Sequence, residues 1–274
     1  MTVIDPSIDC VDFSAQARLV HKWTEESGQH VVVEGLRGSS RAFFLAKLIK
    51  AQKRPVVIFT ADQNRGEALL EDLKYFFRHE KIKINPCFFP AWELLPYEPL
   101  SPLNEISGER LDILNRLRTE EPLVLVVPLE AGLQKVMPRL VLEKLILPVK
   151  RGMSLDREFL EACLSENGFT RSALVESRGE FSVRGDIVDF FQPGGMNPLR
   201  VEFFGDEVES IREFDALSQV SFNELEAVNI LPVRELCLSD AEKKQGIEAL
   251  KDFAEKNACD RLALKELLEK IEHL

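Results

Sequence analysis

Short, almost wholly apolar runs alternate with longer amphipathic stretches between residue 30 and about residue 149. The runs that favour strands are HVVVEG, PVVIFT, INPCFF, PLVLVVP and LILPV. The stretches SRAFFLAKLIKAQ, NRGEALLEDLKYFF and ISGERLDILNRL place apolar residues three and four positions apart, which is typical of helices. Because strands that are apolar throughout are buried on both faces, the pattern predicts a parallel sheet covered by helices. We therefore predict an α/β domain over residues 1–146.

A proline-rich stretch interrupts this domain. The segment FFPAWELLPYEPLSPLNE contains Pro90, Pro96, Pro99 and Pro102, which exclude a regular helix and hold the chain extended. We predict a long ordered loop here. Its aromatic side chains either pack the loop onto the domain or form a surface for a ligand.

The pattern changes after residue 150. LDREFLEACLSENG predicts one amphipathic helix that ends at Gly168, and short strand-like segments bounded by Gly, Pro and Asn follow it. The pair Gly205 and Asp206 is placed for a tight turn between two strands. We predict a small, mostly antiparallel domain over residues 147–233. Residues 234–274 are helical in pattern, with Ser239 as a helix cap, and begin a further sub-domain.

The segment GLRGSSRA, residues 35–42, has the strand, turn and helix arrangement of a phosphate-binding P-loop. A working loop reads G-x-x-x-x-G-K-[ST], in which glycine, lysine and hydroxyl serve the phosphates and magnesium. Laid over this pattern, Gly35 is retained and Gly38 lies within the turn, while Ser40, Arg41 and Ala42 occupy the three demanding positions. Ala42 has no group that ligates a metal. We predict a degenerate nucleotide fold without catalysis, in which weak anion binding at the helix N-terminus stays open.

Composition narrows the classes of function. The formal net charge is −11, and residues 147–233 carry 16 acidic against 8 basic residues, so we do not expect this chain to bind nucleic acid strongly. The five cysteines form no C-x-x-C pair and the four histidines show no metal-ligand spacing, so we expect no disulfide framework, metal or cofactor. No apolar run is long enough to span a membrane, and the N-terminus lacks the basic start of a signal peptide. We expect a cytoplasmic protein.

The strand RVEFF, residues 200–204, carries the strongest sign of a binding surface. Successive side chains of a strand point to opposite faces, so Val201 and Phe203 share the core face. Arg200, Glu202 and Phe204 then share the other face. An exposed Phe beside Arg is typical of protein-protein interfaces, although cover by another part of the same chain would explain Phe204 equally well.

The residues of both domains resemble a known family of repair proteins. RGEFSVRGDIVDFFQP, PLRVEFFGDEVESIREFD and SQVS resemble the second domain shared by UvrB and the transcription-repair coupling factors (Mfd). FFPAWELLPYEPLSPLNEISGERLDILNRL resembles the first domain of the coupling factors, including its loop and helix. UvrB-type chains keep an intact GxxxxGK[ST], whereas the coupling-factor segment is degenerate, as GLRGSSRA is. The resemblance therefore points to the N-terminal region of the coupling factors.

The resemblance implies a function and a set of residues. In the family, the second domain docks UvrA, the damage-sensing ATPase, and the motif positions map to Arg184, Arg200 and Phe204. Full-length members continue into a module that binds RNA polymerase and a motor that moves on DNA, so we expect this chain to be a fragment. We predict a non-catalytic adaptor. Two alternatives stay open, namely a UvrB-like nucleotide-binding protein that verifies DNA damage, and a scaffold for other domains of its own chain.

Overall fold

The computed structural model describes residues 3–4, 13–27, 30–51, 54–94, 102–119, 122–237, 240–257 and 260–272. The chain divides into two compact units. The first unit comprises Met1–Pro102 with Asp112–Lys135, and the second comprises Leu103–Leu111 with Val136–Leu274. One helix, Asn104–Arg116, therefore contributes residues to both units.

The elements from the start of the chain through residue 133 alternate between strand and helix. In chain order they are β1 (Val3–Ile4), α1 (Ser14–Ser27), β2 (Val32–Val33), α2 (Ser40–Ala51), β3 (Val56–Thr60), α3 (Gln63–His79), β4 (Cys87–Phe88), α4 (Asn104–Arg116), β5 (Val124–Pro128) and α5 (Leu129–Leu133). Strands β3, β5 and β4 form a parallel sheet in that order, and β1 pairs with β2 in parallel. The predicted parallel α/β arrangement is confirmed. Helix α1 was not predicted from the sequence.

The central strand β5 is buried along its whole length. Val124 and Val126 pack with residues of α2 and α3. Leu125 and Val127 pack with Ile113 of α4 and with residues of the loop that follows β4. Cover on both faces, as the apolar run predicts, is therefore found at β5. It is not found at β3, where Val57 and Phe59 are exposed, because β3 lies at the edge of the described sheet.

The proline-rich stretch is partly described. Phe89 and Ala91 are buried against β5 and α5, and the backbone N-H of Trp92 donates a hydrogen bond of 2.9 Å to the side chain of Gln134. The described start of the loop thus packs onto the domain. Residues 95–101, which include Pro96 and Pro99, lie outside the described residues, as does the predicted cap Ser239.

The elements from residue 139 onward build a mostly antiparallel sheet with helices. They are α6 (Arg139–Leu145), β6 (Leu147–Lys150), α7 (Arg157–Glu166), β7 (Thr170–Arg171), β8 (Glu180–Arg184), β9 (Ile187–Phe190), β10 (Leu199–Phe204), β11 (Glu207–Phe214), β12 (Ser221–Leu225), β13 (Ala227–Ile230), α8 (Asp240–Lys256) and α9 (Arg261–Glu272). The six-stranded sheet has the order β12-β11-β10-β9-β8-β7, and only the β7-β8 pair is parallel. A separate ladder joins β6 to β13.

That ladder corrects one prediction. The run LILPV was expected to extend the parallel sheet, but β6 pairs antiparallel with β13, from Ala227 opposite Lys150 to Ile230 opposite Leu147. An apolar run predicts burial without predicting its partner strand, and here the burial is in the core of the second unit, where Val149 is fully enclosed.

The inner face of the six-stranded sheet is covered by α7. Val188 and Val201 pack there with Leu160 and Leu164 of the helix. The predicted turn at Gly205 is confirmed: Phe204 lies opposite Glu207, and Gly205 has a φ of 62°, which favours glycine. The predicted helix end is also confirmed, since α7 ends at Glu166 and Gly168 has a φ of 87°.

The first half of α4 is built into the second unit. Arg110 is fully buried and forms an ion pair with Glu235, while Gly108 lies against the backbone of Pro193 and Gly194. A Cβ at Gly108 would lie 2.3 Å from the Cβ of Pro193, so only glycine allows this approach. Within the described residues, no helix has both the length and the apolar character needed to cross a membrane.

Candidate functional site: the outer face of the six-stranded sheet

The glycine-containing turn at residues 35–42 uses its own polar groups. Gly35 and Gly38 have φ angles of 83° and 54°, and α2 begins at Ser40. The Ser40 hydroxyl accepts the backbone N-H of Arg37 at 2.9 Å and donates to the carbonyl of the same residue at 2.7 Å. The Ser40 side chain therefore links the start of α2 to the turn.

The side chains of Arg41 and Ala42 are likewise not placed to bind a phosphate. Arg41 bends back, and its Nε donates to the carbonyl of Leu36 at 3.3 Å. Ala42 is fully buried in the core beside Ala46. The depression next to this turn is lined mainly by apolar side chains, among them Phe44 and Leu48. Such a lining provides few of the donors that a phosphate needs.

The candidate site is the face of the six-stranded sheet opposite α7, which we call the outer face. Strand alternation places on it Ser182 and Arg184 of β8, Asp189 of β9, Arg200, Glu202 and Phe204 of β10, and Ser210 and Arg212 of β11. In register, Asp189 lies directly between Ser182 and Arg200, and Arg200 lies opposite Arg212. Most side chains of this face are polar or charged, in contrast to the apolar inner face.

Asp189 is the centre of an ionic cluster on the outer face. Its carboxylate is 1% exposed and accepts hydrogen bonds from two arginines. Arg184 donates from Nη2 at 2.6 Å, and Arg200 donates from Nε at 2.7 Å and from Nη2 at 3.0 Å. The structure thus brings together the two arginines that the sequence singled out. Two guanidinium groups around one carboxylate leave a net positive charge.

The two arginines differ in how much of the guanidinium is free. The side chain of Arg200 is 14% exposed, its Nη1 donates to the carbonyl of Gln219 at 3.4 Å, and its guanidinium lies 4.6 Å from the ring centroid of Phe214. The hydrogen bonds to Asp189 raise the pKa of Arg200, so its charge is fixed. Arg184 is 46% exposed and lies at the end of β8. Arg184 therefore presents the more accessible cation.

Phe204 lies at the end of β10 and is 79% exposed, beside the turn at Gly205. Of the two alternatives for Phe204, exposure or cover by another part of the chain, the described residues show exposure. Its ring borders a shallow depression to which Arg151, Gly152 and Glu209 also contribute. An apolar ring of this size beside charged groups is suited to fill a pocket on another molecule.

Among the described residues, the two ends of β10 differ in how far the outer face is covered. Near Arg200 the face is covered, because Val175, Phe191 and Phe214 form a small buried cluster there. Toward Phe204 the face carries Glu202, which accepts hydrogen bonds from Ser210 at 2.9 Å and Arg212 at 3.4 Å. The accessible surface is therefore the end that carries Arg184 and Phe204.

Sequence reasoning missed Asp189 and the Glu202 cluster. The signal for Asp189 was present, since DIVDFF alternates in the same way as RVEFF and an acid in a strand otherwise buried requires a cationic partner. Which arginines supply that partner depends on the register between β8, β9 and β10, which a single strand does not specify.

The six-stranded sheet lies within a segment that matches a known domain. Residues 147–236 match the model of the UvrB interaction domain, which is a protein-interaction module. The transcription-repair-coupling factor of Myxococcus xanthus is 37% identical over 247 residues, which cover 89% of this chain and 20% of that relative. The chain is similar to the transcription-repair-coupling factors. The resemblance predicted from the motifs is confirmed.

Two further relatives extend the comparison. The transcription-repair-coupling factor of Escherichia coli is 32% identical over 210 residues, which cover 77% of this chain and 18% of that relative. The UvrABC system protein B of Legionella pneumophila is 29% identical over 251 residues, 86% of this chain and 38% of that relative. The chain thus spans about a fifth of the length of the curated coupling factors it matches.

Proposed function

We propose that this chain is a non-catalytic adaptor in DNA repair that binds UvrA through the open end of the outer face. In the coupling-factor context, it brings UvrA to stalled RNA polymerase, while polymerase and DNA are bound by regions outside the matched fifth of the relatives. The observation that carries the proposal is the exposed Phe204 on the same sheet face as an ordered arginine pair, inside the segment that matches the UvrB interaction domain. We place the UvrA-binding domain at residues 147–233 and the protein in the cytoplasm.

Phe204 and Arg184 form the contact to UvrA in this proposal. Phe204 has no structural duty in the sheet core, so its large apolar surface is available to a pocket on the partner. Arg184 keeps donors free beyond the single bond to Asp189 and meets a carboxylate of UvrA. An arginine in a desolvated charge pair contributes on the order of 2 kcal/mol or more.

Arg200 has a different part in the same surface. Three of its nitrogens already donate within the domain, so a carboxylate of UvrA reaches only the exposed edge of its guanidinium. Its main effect is to hold Asp189, which in turn orients Arg184. Loss of Arg200 would therefore weaken UvrA binding chiefly by disordering the arginine pair.

The degenerate loop supports the absence of catalysis. Ser40 hydrogen-bonds to Arg37, Arg41 donates to the carbonyl of Leu36, and Ala42 packs in the core. Residues 1–146 in this proposal keep the shape of a nucleotide fold without its chemistry, and residues 234–274 begin the next sub-domain. We propose no cofactor.

A second candidate is a UvrB-like nucleotide-binding protein that verifies DNA damage, because a UvrABC system protein B is among the relatives. Magnesium-dependent ATP turnover by the chain, lost in Arg41→Ala, would favour that candidate over the adaptor. We expect no turnover above a blank without protein.

Affinity capture tests the adaptor function. The immobilised chain is mixed with UvrA, and the bound UvrA is quantified for wild type, Arg184→Ala and the control Arg171→Ala. Arg171 is an exposed arginine on β7 that pairs with Glu161, so its removal deletes the same charge elsewhere in the domain. We expect Arg184→Ala to reduce binding at least tenfold and Arg171→Ala to leave it unchanged. Absence of UvrA binding by the wild-type chain would refute the proposal.

A further inference from the structure

The excess of acidic over basic residues lies almost wholly in the second unit. The first unit contains 17 acidic and 16 basic residues, whereas the second contains 29 acidic and 19 basic residues. The net charge of the first unit is therefore close to zero. A local basic surface on this unit is not opposed by its overall charge.

Such a surface surrounds a groove at the C-terminal end of α3. The groove encloses about 480 Å³, and its polar lining comes from Lys74, Arg78, Lys83 and Asn85. Lys81 is exposed beside it. We call these five residues the basic groove. The apolar lining comes from Phe77, Ile82, Ile84 and Pro86, and none of these four side chains is exposed.

Lys74 of the basic groove pairs with Glu71 at 2.7 Å, and the other cations of the groove pair with no carboxylate among the described residues. Neither Lys81 nor Lys83 forms an ion pair or hydrogen bond within the described part of the chain. Arg78 uses its Nε for the carbonyl of Lys74 at 3.3 Å. The carboxylate next to them, Glu80, is buried and is held by Lys47 and Lys50 at 2.8 and 3.0 Å. It therefore does not neutralise the groove.

Lys81 adds an independent observation. Its φ is 56°, in the left-handed region that favours glycine at a helix end, and its N-H donates to the carbonyl of Arg78. Cations in the last turn of a helix are explained by the helix dipole, and that accounts for Arg78. Lys81 lies beyond the last turn, so the dipole does not explain its charge. Its left-handed backbone belongs to the helix C-cap, in which the N-H of Ile82 also donates to the carbonyl of Phe77 at 2.8 Å, so the helix end explains the backbone and the exposed ammonium is what a ligand would meet.

We infer that the basic groove binds the sugar-phosphate backbone of a nucleic acid. Free ammonium groups, a guanidinium and the amide of Asn85 are donors for phosphate oxygens. Like charges that are exposed at a groove whose apolar side chains are not exposed fit a polyanion better than a protein surface, which requires an accessible apolar anchor. The contact reads no base edge, so the binding is weak and independent of sequence. It accords with the expectation that the chain does not bind nucleic acid strongly.

Fluorescence anisotropy of a labelled 20-base-pair DNA duplex with the whole chain tests this inference. Three or four phosphate contacts on duplex DNA give a slope of log affinity against log salt of about −2.7 to −3.6. We expect Lys83→Glu to weaken binding about tenfold. Lys244→Glu, the same charge reversal at an exposed position of α8, should have no effect. Absence of salt-dependent DNA binding by wild type at 50 mM salt would overturn the inference.

Lys81→Gly separates binding from folding. The substitution removes one cation and relieves the left-handed backbone, so affinity should fall about threefold while the melting temperature stays equal or rises. Equal affinity of Lys81→Gly and wild type would contradict a role for this residue. If poly-glutamate of equal charge displaces the duplex more effectively than unlabelled DNA does, the groove is a site for acidic protein and the inference fails.

Discussion

Asp189 is the residue on which the arrangement of the outer face depends. A carboxylate with 1% exposure is costly unless it is paired, and here it accepts three hydrogen bonds from Arg184 and Arg200. The pairing orders two long side chains before a partner arrives, which lowers the entropy cost of binding. The same pairing makes the two arginines unequal, and this inequality is measurable.

Removal of either arginine should affect stability differently. Arg200→Ala deletes two of the three hydrogen bonds to a buried carboxylate, and we expect a loss of about 3 kcal/mol in the free energy of unfolding. Arg184→Ala leaves Arg200 in place and should cost about 1 kcal/mol or less. Urea denaturation of both variants measures the difference. Equal losses would show that Arg200 does not carry the pairing of Asp189.

Glu80 makes the first unit sensitive to acid. Hydrogen bonds from Lys47 and Lys50 lower the pKa of its carboxyl below the ordinary value of 4.5. A lowered pKa stabilises the folded state above the unfolded value, and this stabilisation is lost as the pH falls through the folded value. The stability difference between wild type and Glu80→Gln should therefore be largest at neutral pH and should shrink below pH 4.5.

Denaturation midpoints at pH 7 and in the acid range provide this measurement. Glu71→Gln is the matched control, because Glu71 pairs with Lys74 on the surface, where the pair contributes little. A difference between wild type and Glu80→Gln that persists unchanged in acid would contradict the assigned role of Glu80.

Residue patterns in the sequence predict part of the outer face. Alternation in RVEFF correctly placed Val201 and Phe203 inside and Phe204 outside. Alternation says which face a side chain takes, but it does not say how far a neighbour covers it. Arg200 shares the face of Phe204 and is still mostly enclosed, because Gln219 and Phe214 come from later in the chain.

Among the elements, helix α4 has the strictest packing requirement. Its Gly108 touches the Pro193 and Gly194 backbone, and its Arg110 is buried with Glu235. The sequence predicted the helix from its apolar spacing, but that spacing says nothing of these contacts. They depend on residues more than eighty positions later, so they were not predictable from local pattern. The partner strand of β6 was predicted wrongly for the same reason, because strand pairing also depends on residues far away in the sequence.

Two helix glycines should therefore respond to alanine with opposite signs. In α8, nothing lies within 4 Å of a Cβ at Gly246, so Gly246→Ala should stabilise by about 0.5–1 kcal/mol through helix propensity. In α4, the added Cβ of Gly108→Ala meets backbone atoms, and we expect a net loss of at least about 2 kcal/mol. Thermal unfolding of the two variants checks the signs. Stabilisation by Gly108→Ala would contradict the close packing.

At the scale of the whole molecule, the two units contribute separately to the proposed adaptor. The first keeps a parallel sheet and a glycine turn whose polar groups are used internally. The second carries the segment that matches the UvrB interaction domain and an accessible aromatic ring. Alternating apolar runs predicted the parallel sheet, and turn residues predicted the antiparallel one, because both signals are local. Local signals of this kind do not predict a binding partner, and in the proposed adaptor partner binding depends on Phe204.

The affinity of the chain for UvrA with and without Phe204 tests the central claim most directly. Phe159 provides the control, since it is an exposed phenylalanine on α7, the helix that covers the opposite face of the sheet. We predict that Phe204→Ala lowers the affinity at least thirtyfold, about 2 kcal/mol, without lowering the melting temperature, and that Phe159→Ala matches wild type. Wild-type affinity in Phe204→Ala would contradict the account.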